Sequence, residues 1–145
     1  MLSFTGSLSN NSEGFLIFIN EKYEYRDRRN ILPKDISLKI DSFIEKLKNK
    51  KIGDEVNVID VNDKKKCFII KIKKKYEDYY PEELGSTFYS YINRFNHINS
   101  VDLFTDSLVE EKKNLISFTS KFIFGVNLKS YKFNKYKTVE KEKLN

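Results

Sequence analysis

The sequence predicts an α/β fold: a single three-layer domain in which a mixed β-sheet carries helices on its faces. Strand-length apolar runs alternate along the chain with segments whose apolar residues recur at helical spacing, which is typical of a sheet covered by helices. The chain has 145 residues, of which 39% are hydrophobic and 33% are charged, enough for one hydrophobic core. No apolar run approaches the roughly 20 residues of a membrane span, so no membrane association is expected.

The strands are predicted from runs rich in aromatic and β-branched residues. Met1–Thr5 is a short, partly apolar start, and Gly14–Asn20 is a continuous apolar run bounded by turn residues, which indicates a buried strand. Glu55–Val61 and Cys67–Ile72 are separated by a short polar turn and are predicted to form a hairpin. A further strand is predicted at Ile98–Phe104. With three helices placed between and after these strands, the predicted order is β-β-α-β-β-α-β-α.

Three amphipathic helices are predicted from their start signals. The first begins near Pro33, because the N–H that proline lacks would have no partner in the first turn. The second begins at Tyr80, which is followed by a proline and two glutamates. The third follows Ser107, whose spacing to Glu110 matches a capping box, and it continues past Val126.

The C-terminal segment differs from the rest of the chain in composition. Residues 132–145 are polar and highly charged, which indicates a linker or tail, so the folded domain is assigned to residues 1–131. The N-terminus shows no secretory signal. A single cysteine, Cys67, excludes an internal disulfide and suits a reducing compartment, so a cytoplasmic location is expected.

No catalytic, cofactor-binding or metal-ligating residue is predicted. His97 is the only histidine and has no partners of the kind that a zinc site needs, so a surface or helix-end role is favoured. Cys67 lies inside an apolar strand and is predicted to be a buried core thiol rather than a nucleophile. Adjacent carboxylates point in different directions and do not make a shared acid–base site. The adjacent pairs are Asp54 and Glu55, Glu82 and Glu83, and Glu110 and Glu111. Neither a glycine-rich phosphate loop nor a nucleophile elbow occurs.

The net charge of +6 raises the question of nucleic-acid binding. Lys71–Tyr76 is the best candidate, with Lys64–Lys66 before it and Tyr79 and Tyr80 after it. Lysines would contact phosphates and tyrosines would stack on bases. The alternative is a strand end and loop solvated by lysine, because the chain is rich in Lys, Asn, Ile, Phe and Tyr throughout, as AT-rich codon usage produces. Charge without base-reading geometry is a weak signal, so this alternative is favoured.

The segment Phe124–Thr138 resembles the end of the N-terminal domain of the cytosolic leucyl aminopeptidase family. In that family a long helix carries Gly, two spacer residues, Leu and a small residue, followed by Tyr-Arg-Phe-Asp-x-Tyr-Lys-Thr/Ser. The matching positions are Gly125, Leu128, Ser130, Tyr131, Phe133, Tyr136, Lys137 and Thr138. Lys132 stands for the arginine and keeps its charge, and Asn134 stands for the aspartate and keeps its shape.

The resemblance extends more weakly over the rest of the chain. Lys50–Val56 is similar to a Gly-Lys-x-Gly-Glu segment of the family, and Tyr80–Ile92 lies where the family begins a helix with Glu-x-Leu-Arg. The family usually has a Gly-Leu-Gly-Lys loop before that helix. Here Ile70–Lys75 stands instead, so no function of that loop is carried over.

The resemblance implies an α/β fold similar to the macro domain and a chain without catalytic activity of its own. In the family a separate catalytic domain follows and holds two divalent metals, zinc or manganese, near an Asn-Thr-Asp-Ala-Glu-Gly-Arg segment that does not occur here. The chain would then be a non-catalytic assembly or regulatory domain, with the catalytic domain of the same protein as its partner and a homo-hexamer as the full-length assembly. The alternative is a stand-alone binding module for nucleic acid or nucleotide. A self-standing enzyme has the least support.

Overall fold

A computed structural model describes residues 12–27, 30–50, 56–95, 98, 100–104, 107–108 and 112–143, and it leaves out the side chains of 112–113 and 136–143. The chain forms two compact units. The first comprises Met1–Lys75 and His97–Glu111, and the second comprises Tyr76–Asn96 and Lys112–Asn145.

The first unit contains a mixed four-stranded sheet and one helix. Its elements are β1 (Gly14–Ile19), α1 (Lys34–Lys50), β2 (Val56–Asn62), β3 (Lys65–Lys71) and β4 (Val101–Leu103). The strand order is β2-β3-β1-β4, in which β1 runs parallel to both β3 and β4 while β2 runs antiparallel to β3. The predicted α/β class with a mixed sheet is therefore confirmed, whereas the likeness to the macro domain stays a prediction.

One face of the sheet and one face of α1 form the core of the first unit. Ile36, Ile40 and Ile44 recur every four residues and are buried, as expected for one stripe of a helix. They pack with Phe15 of β1 and Ile69 of β3, which point to the same face of the sheet. Every residue of β1 is buried. Its apolar run is continuous, rather than alternating, because side chains on both of its faces are shielded from water.

The predicted hairpin is confirmed by the antiparallel pairing of β2 with β3. Its turn is held by Asn62, whose Oδ1 accepts a hydrogen bond from the Lys64 N–H at 2.9 Å. The ladder is irregular between Asp60 and Asn62. Asparagine favours such a turn because its side chain bonds to its own backbone two residues on.

Ser107 has a different role from the predicted capping box. Its hydroxyl accepts a hydrogen bond from the Phe18 N–H at 3.0 Å and donates one to the Phe104 carbonyl at 2.5 Å. Ser107 thus joins β1 to the chain after β4. This contact links residues 89 positions apart, so a local motif could not predict it. Glu110, the other member of the predicted box, lies outside the described residues.

The second unit is a pair of helices, α2 (Tyr80–Ile92) and α3 (Lys112–Lys143). The predicted start at Tyr80 agrees with these bounds, whereas α3 begins at Lys112 and not directly after Ser107. The segment 132–145, predicted from its polarity to be a linker or tail, is helical through Lys143. Lys and Glu are good helix formers, so the polar composition of this segment does not prevent a helix. Met1–Thr5, the first predicted strand, lies outside the described residues.

Two glycines set the spacing between α2 and α3. A Cβ at Gly85 would overlap the Phe122 carbonyl oxygen, and a Cβ at Gly125 would overlap the Glu82 carbonyl oxygen. Around these contacts the ring centroids of Phe88 and Phe122 lie 5.8 Å apart. The small residues let the two backbones approach closely enough for large side chains on either side to interlock.

Candidate functional site

The outward side of α3 carries an exposed apolar stripe. Ile116, Phe124 and Tyr131 are 63%, 56% and 64% exposed. At 3.6 residues per turn their positions fall within about 80° around the helix axis and span about 22 Å along it. We call these three residues the α3 outer face.

The opposite side of α3 explains why this stripe faces outward. Phe118, Phe122 and Val126 are buried, and they lie on the side of the helix where Gly125 meets the backbone of α2. With that side fixed against α2, the α3 outer face points away from α2. The exposure of Phe124 follows from its position in the helix rather than from its polarity.

Lysine dominates the charge of the same part of α3. Between residues 114 and 135 the charged residues are all lysines, Lys121, Lys129, Lys132 and Lys135. Helical geometry places Lys121, Lys132 and Lys135 along one flank of the α3 outer face. Lys129, Lys132 and Lys135 are exposed. The α3 outer face and its flank therefore combine large apolar side chains with charges that are all positive.

The residues of Phe124–Thr138, which we call the family-like segment, lie on both sides of α3. Gly125 is buried against α2, and Phe133 packs edge-on against Tyr89 with 6.2 Å between ring centroids. Tyr131 is exposed, and Leu128 and Ser130 are partly buried. The matching side chains of Tyr136, Lys137 and Thr138 lie outside the described side chains. The segment thus contains both packing residues and surface residues.

Several residues of the lysine and tyrosine run have partners within their own unit. Lys66 pairs with Asp60 at 2.5 Å. Lys71 donates to the Tyr23 hydroxyl at 3.3 Å and lies 4.6 Å from the centre of that ring. Tyr80 is only 8% exposed, and its ring centroid lies 5.1 Å from that of Tyr76. Burial of Tyr80 removes one of the rings on which base stacking was predicted to depend.

A cleft of about 620 Å³ opens in the first unit beside the first turn of α1 and the amino-terminal ends of β1 and β3. It is lined by Ser12, Phe15, Ile31, Pro33, Ile36, Asn62, Asp63, Lys64 and Lys65. Parallel sheets usually bind ligands beyond the carboxyl ends of their strands. This cleft lies at the amino-terminal ends of β1 and β3, so its position gives no support to the nucleotide-binding alternative.

A buried polar pair lies next to this cleft. The Ser12 hydroxyl donates to the Asp102 carboxylate at 2.6 Å, and the two residues are 5% and 2% exposed. Asp102 lies opposite Phe15 in the sheet, which directs both side chains to the face covered by α1. The hydrogen bond compensates part of the cost of burying a carboxylate. Sequence reasoning missed this pair, although an aspartate between apolar residues of a short strand was a signal.

The remaining predicted residues have the following places. Cys67 is fully buried, and this burial raises the pKa of its thiol well above the ordinary value, so the predicted core thiol is confirmed. Glu82 and Glu83 lie in the first turn of α2, as predicted. His97 and the pairs Asp54–Glu55 and Glu110–Glu111 lie outside the described residues.

Within the described ranges no cluster of three or more His, Cys, Asp and Glu is arranged to hold a metal ion. No described helix is both long and apolar enough to cross a membrane. A scan against protein-family models gives no match, and no curated protein matches the chain.

Proposed function

We propose that the chain is a non-catalytic assembly or regulatory domain of a leucyl-aminopeptidase-like protein. In this proposal the full-length protein removes N-terminal residues from peptides in the cytoplasm. The observation that carries it is the family-like segment Phe124–Thr138, which occupies the part of α3 that both packs on α2 and presents Tyr131 to solvent.

Gly125 gives this resemblance a physical basis. A side chain at this position would overlap the Glu82 carbonyl oxygen. The helix pair requires a glycine at this position, and the family motif has a glycine at the corresponding position, which supports the proposal. Tyr131 is also shared, and its 64% exposure leaves it available for contact with another domain.

The proposal assigns the chemistry to another part of the protein. Two divalent metals, zinc or manganese, would belong to a catalytic domain following this one, and the water-activating carboxylates would come from that domain. The partners of this chain would be that domain and, in the full-length protein, further subunits of a homo-hexamer.

A peptidase assay tests the non-catalytic part of the proposal. Purified chain is incubated with leucyl p-nitroanilide in the presence of Zn²⁺ or Mn²⁺, with an active leucyl aminopeptidase as the positive control. We expect no release of nitroaniline above the metal-only blank. Metal-dependent release that persists through two orthogonal purification steps would overturn the proposal.

Reading the coding sequence downstream of the Asn145 codon tests the aminopeptidase part. An open frame that continues into an Asn-Thr-Asp-Ala-Glu-Gly-Arg segment supports the proposal. A stop codon at that point would contradict it and would turn attention to the stand-alone binding module, for which salt-dependent binding to DNA is the first test.

A further inference from the structure

We propose that the α3 outer face is a docking surface for an acidic amphipathic helix of a partner protein. This inference rests on the function proposed above and names the chemistry of the partner that an assembly domain would contact. Three features of α3 carry it: the concentration of exposed apolar side chains, their alignment, and the sign of the charge beside them.

The exposed apolar side chains of the described residues are concentrated here. Among residues with a described side chain, half of the large exposed hydrophobic residues lie on the α3 outer face. They are Ile116, Phe124 and Tyr131, and the others are Leu38, Tyr76 and Tyr79. Single exposed hydrophobic residues are normal on a protein surface, whereas an aligned group indicates an interaction site. Two of the three are aromatic, the residue class that contributes most to the centre of protein interfaces.

The spacing of the three residues suits a helix. They recur after eight and seven residues, so one large side chain projects at about every second turn. Ser120 and Asn127 fall between them on the same side of α3. A partner helix lying along this row would place its own side chains into the gaps, as in ridge-and-groove packing. The two polar residues also make the stripe a poor membrane-binding face, which needs a continuous apolar surface.

The charge selects an acidic partner. The stretch 114–135 contains four lysines and no aspartate or glutamate. A second α3 would bring lysines against lysines, which disfavours pairing between two copies through this face. Phosphates of a nucleic acid would satisfy the lysines but leave Ile116 and Phe124 uncovered. A helix with Asp or Glu beside an apolar row satisfies both features, because opposite charges speed association while the apolar anchors hold the complex.

A designed peptide tests the inference on the intact chain. The probe is a fluorescent helical peptide of about 20 residues, long enough to span the stripe, with Leu on one face and Glu on the flanks. One control peptide has the same composition in scrambled order, and another has Lys in place of Glu. We expect binding of the Glu peptide in fluorescence anisotropy, with affinity reduced when the salt is raised from about 0.1 M to about 1 M. Binding of the scrambled peptide with equal affinity would overturn the inference.

Matched variants locate the binding surface. The double replacement Phe124→Ser and Tyr131→Ser should weaken binding of the Glu peptide at least about tenfold, because aromatic side chains that become buried on binding dominate such interfaces. The control Leu38→Ser removes a side chain that is 59% exposed on α1 and should leave binding unchanged. All three replaced residues are exposed, so circular dichroism should show the same helix content in every variant.

Charge reversal provides a second, independent test. Lys121→Glu, Lys132→Glu and Lys135→Glu together should shift preference from the Glu peptide to the Lys peptide. The same reversal at Lys46, Lys48 and Lys50 of α1 should not shift it. If an oligonucleotide or an anionic lipid vesicle binds through these same residues while the peptide does not, the inference is wrong. Absence of peptide binding would not change the result of the peptidase assay, so the docking inference and the proposed function can be refuted independently.

Discussion

At the scale of the residue, Tyr25 shows how burial and one carboxylate change an ionisation. Its hydroxyl donates a hydrogen bond to the Asp41 carboxylate at 2.8 Å. Burial raises the pKa of Tyr25 well above its ordinary value, and the hydrogen bond and negative charge of Asp41 raise it further. Burial and Asp41 both disfavour the phenolate, so the folded protein holds this side chain neutral.

The alkaline stability of the protein should depend on Tyr25. Because its pKa in the folded state is raised above the unfolded value, its stabilising contribution is fully present below about pH 10 and is lost as the pH rises through the folded value. An ultraviolet absorbance titration should show a tyrosine ionisation above the ordinary range, and Tyr25→Phe should remove that step. Asp41→Asn should move the step to lower pH, though not to the ordinary value, because burial is the largest cause. Identical titrations of the wild type and Tyr25→Phe would contradict this assignment.

At the scale of the element, the α2–α3 pair depends on Gly85 and Gly125, two positions where the close approach of the backbones leaves no room for a side chain. The interlocked surface around them includes Phe88 and Phe122, and the Ser86 hydroxyl donates to the Gly125 carbonyl at 3.2 Å. Glycine normally weakens a helix interior by about 1 kcal/mol relative to alanine. Its presence in both helices at the same contact indicates that close packing outweighs this cost.

Gly125→Ala should therefore destabilise the protein despite improving helix propensity. The added methyl group would overlap the Glu82 carbonyl oxygen and force the helices apart, and overpacking of this kind costs about 1–3 kcal/mol. Urea unfolding followed by circular dichroism measures the change. Asn127→Ala, an exposed position on the other side of α3, serves as the control and should cause no loss of stability. Equal or greater stability of Gly125→Ala would show that the helix pair is not packed through this glycine.

At the scale of the whole molecule, the sheet of the first unit is organised around β3 and β1, its two interior strands. Cys67 lies in β3 opposite Phe15 of β1 and Ile59 of β2, so its thiol is enclosed by neighbours on both sides in the sheet. The thiol lies in the core between the sheet and α1, so a reagent reaches it only when that core opens. The single cysteine of the chain is consequently a probe of the integrity of that unit.

Cys67 should react with a thiol reagent only when the protein unfolds. We expect no labelling by Ellman's reagent in native buffer and stoichiometric labelling in concentrated urea. Raising the pH to about 9 should not accelerate the native reaction, because burial keeps the pKa of the thiol above this range. Glutathione provides the exposed-thiol control. Labelling of the native protein at the glutathione rate would show that the core between the sheet and α1 is not closed around this residue.

Local sequence signals were enough where the physical cause was local. The hairpin turn at Asn62, the start of α1 after Pro33 and the buried run of β1 follow from the preferences of the residues themselves. The polar composition of 132–145 did not indicate that α3 continues to Lys143. Lysine and glutamate are compatible with a solvated helix as well as with a tail.

By itself, the sequence determined the α/β class, the positions of β1, β2, β3, α1 and α2 and the burial of Cys67, because periodicity and apolar content act within each segment. Only the tertiary structure decided the use of Ser107 by Phe18, the pairing of Ser12 with Asp102 and the outward position of Phe124. The two hydrogen bonds join residues 89 and 90 positions apart, and the exposure of Phe124 depends on which side of α3 packs against α2. These contacts and this exposure depend on which distant segments meet when the chain folds, and a local sequence pattern does not contain that information.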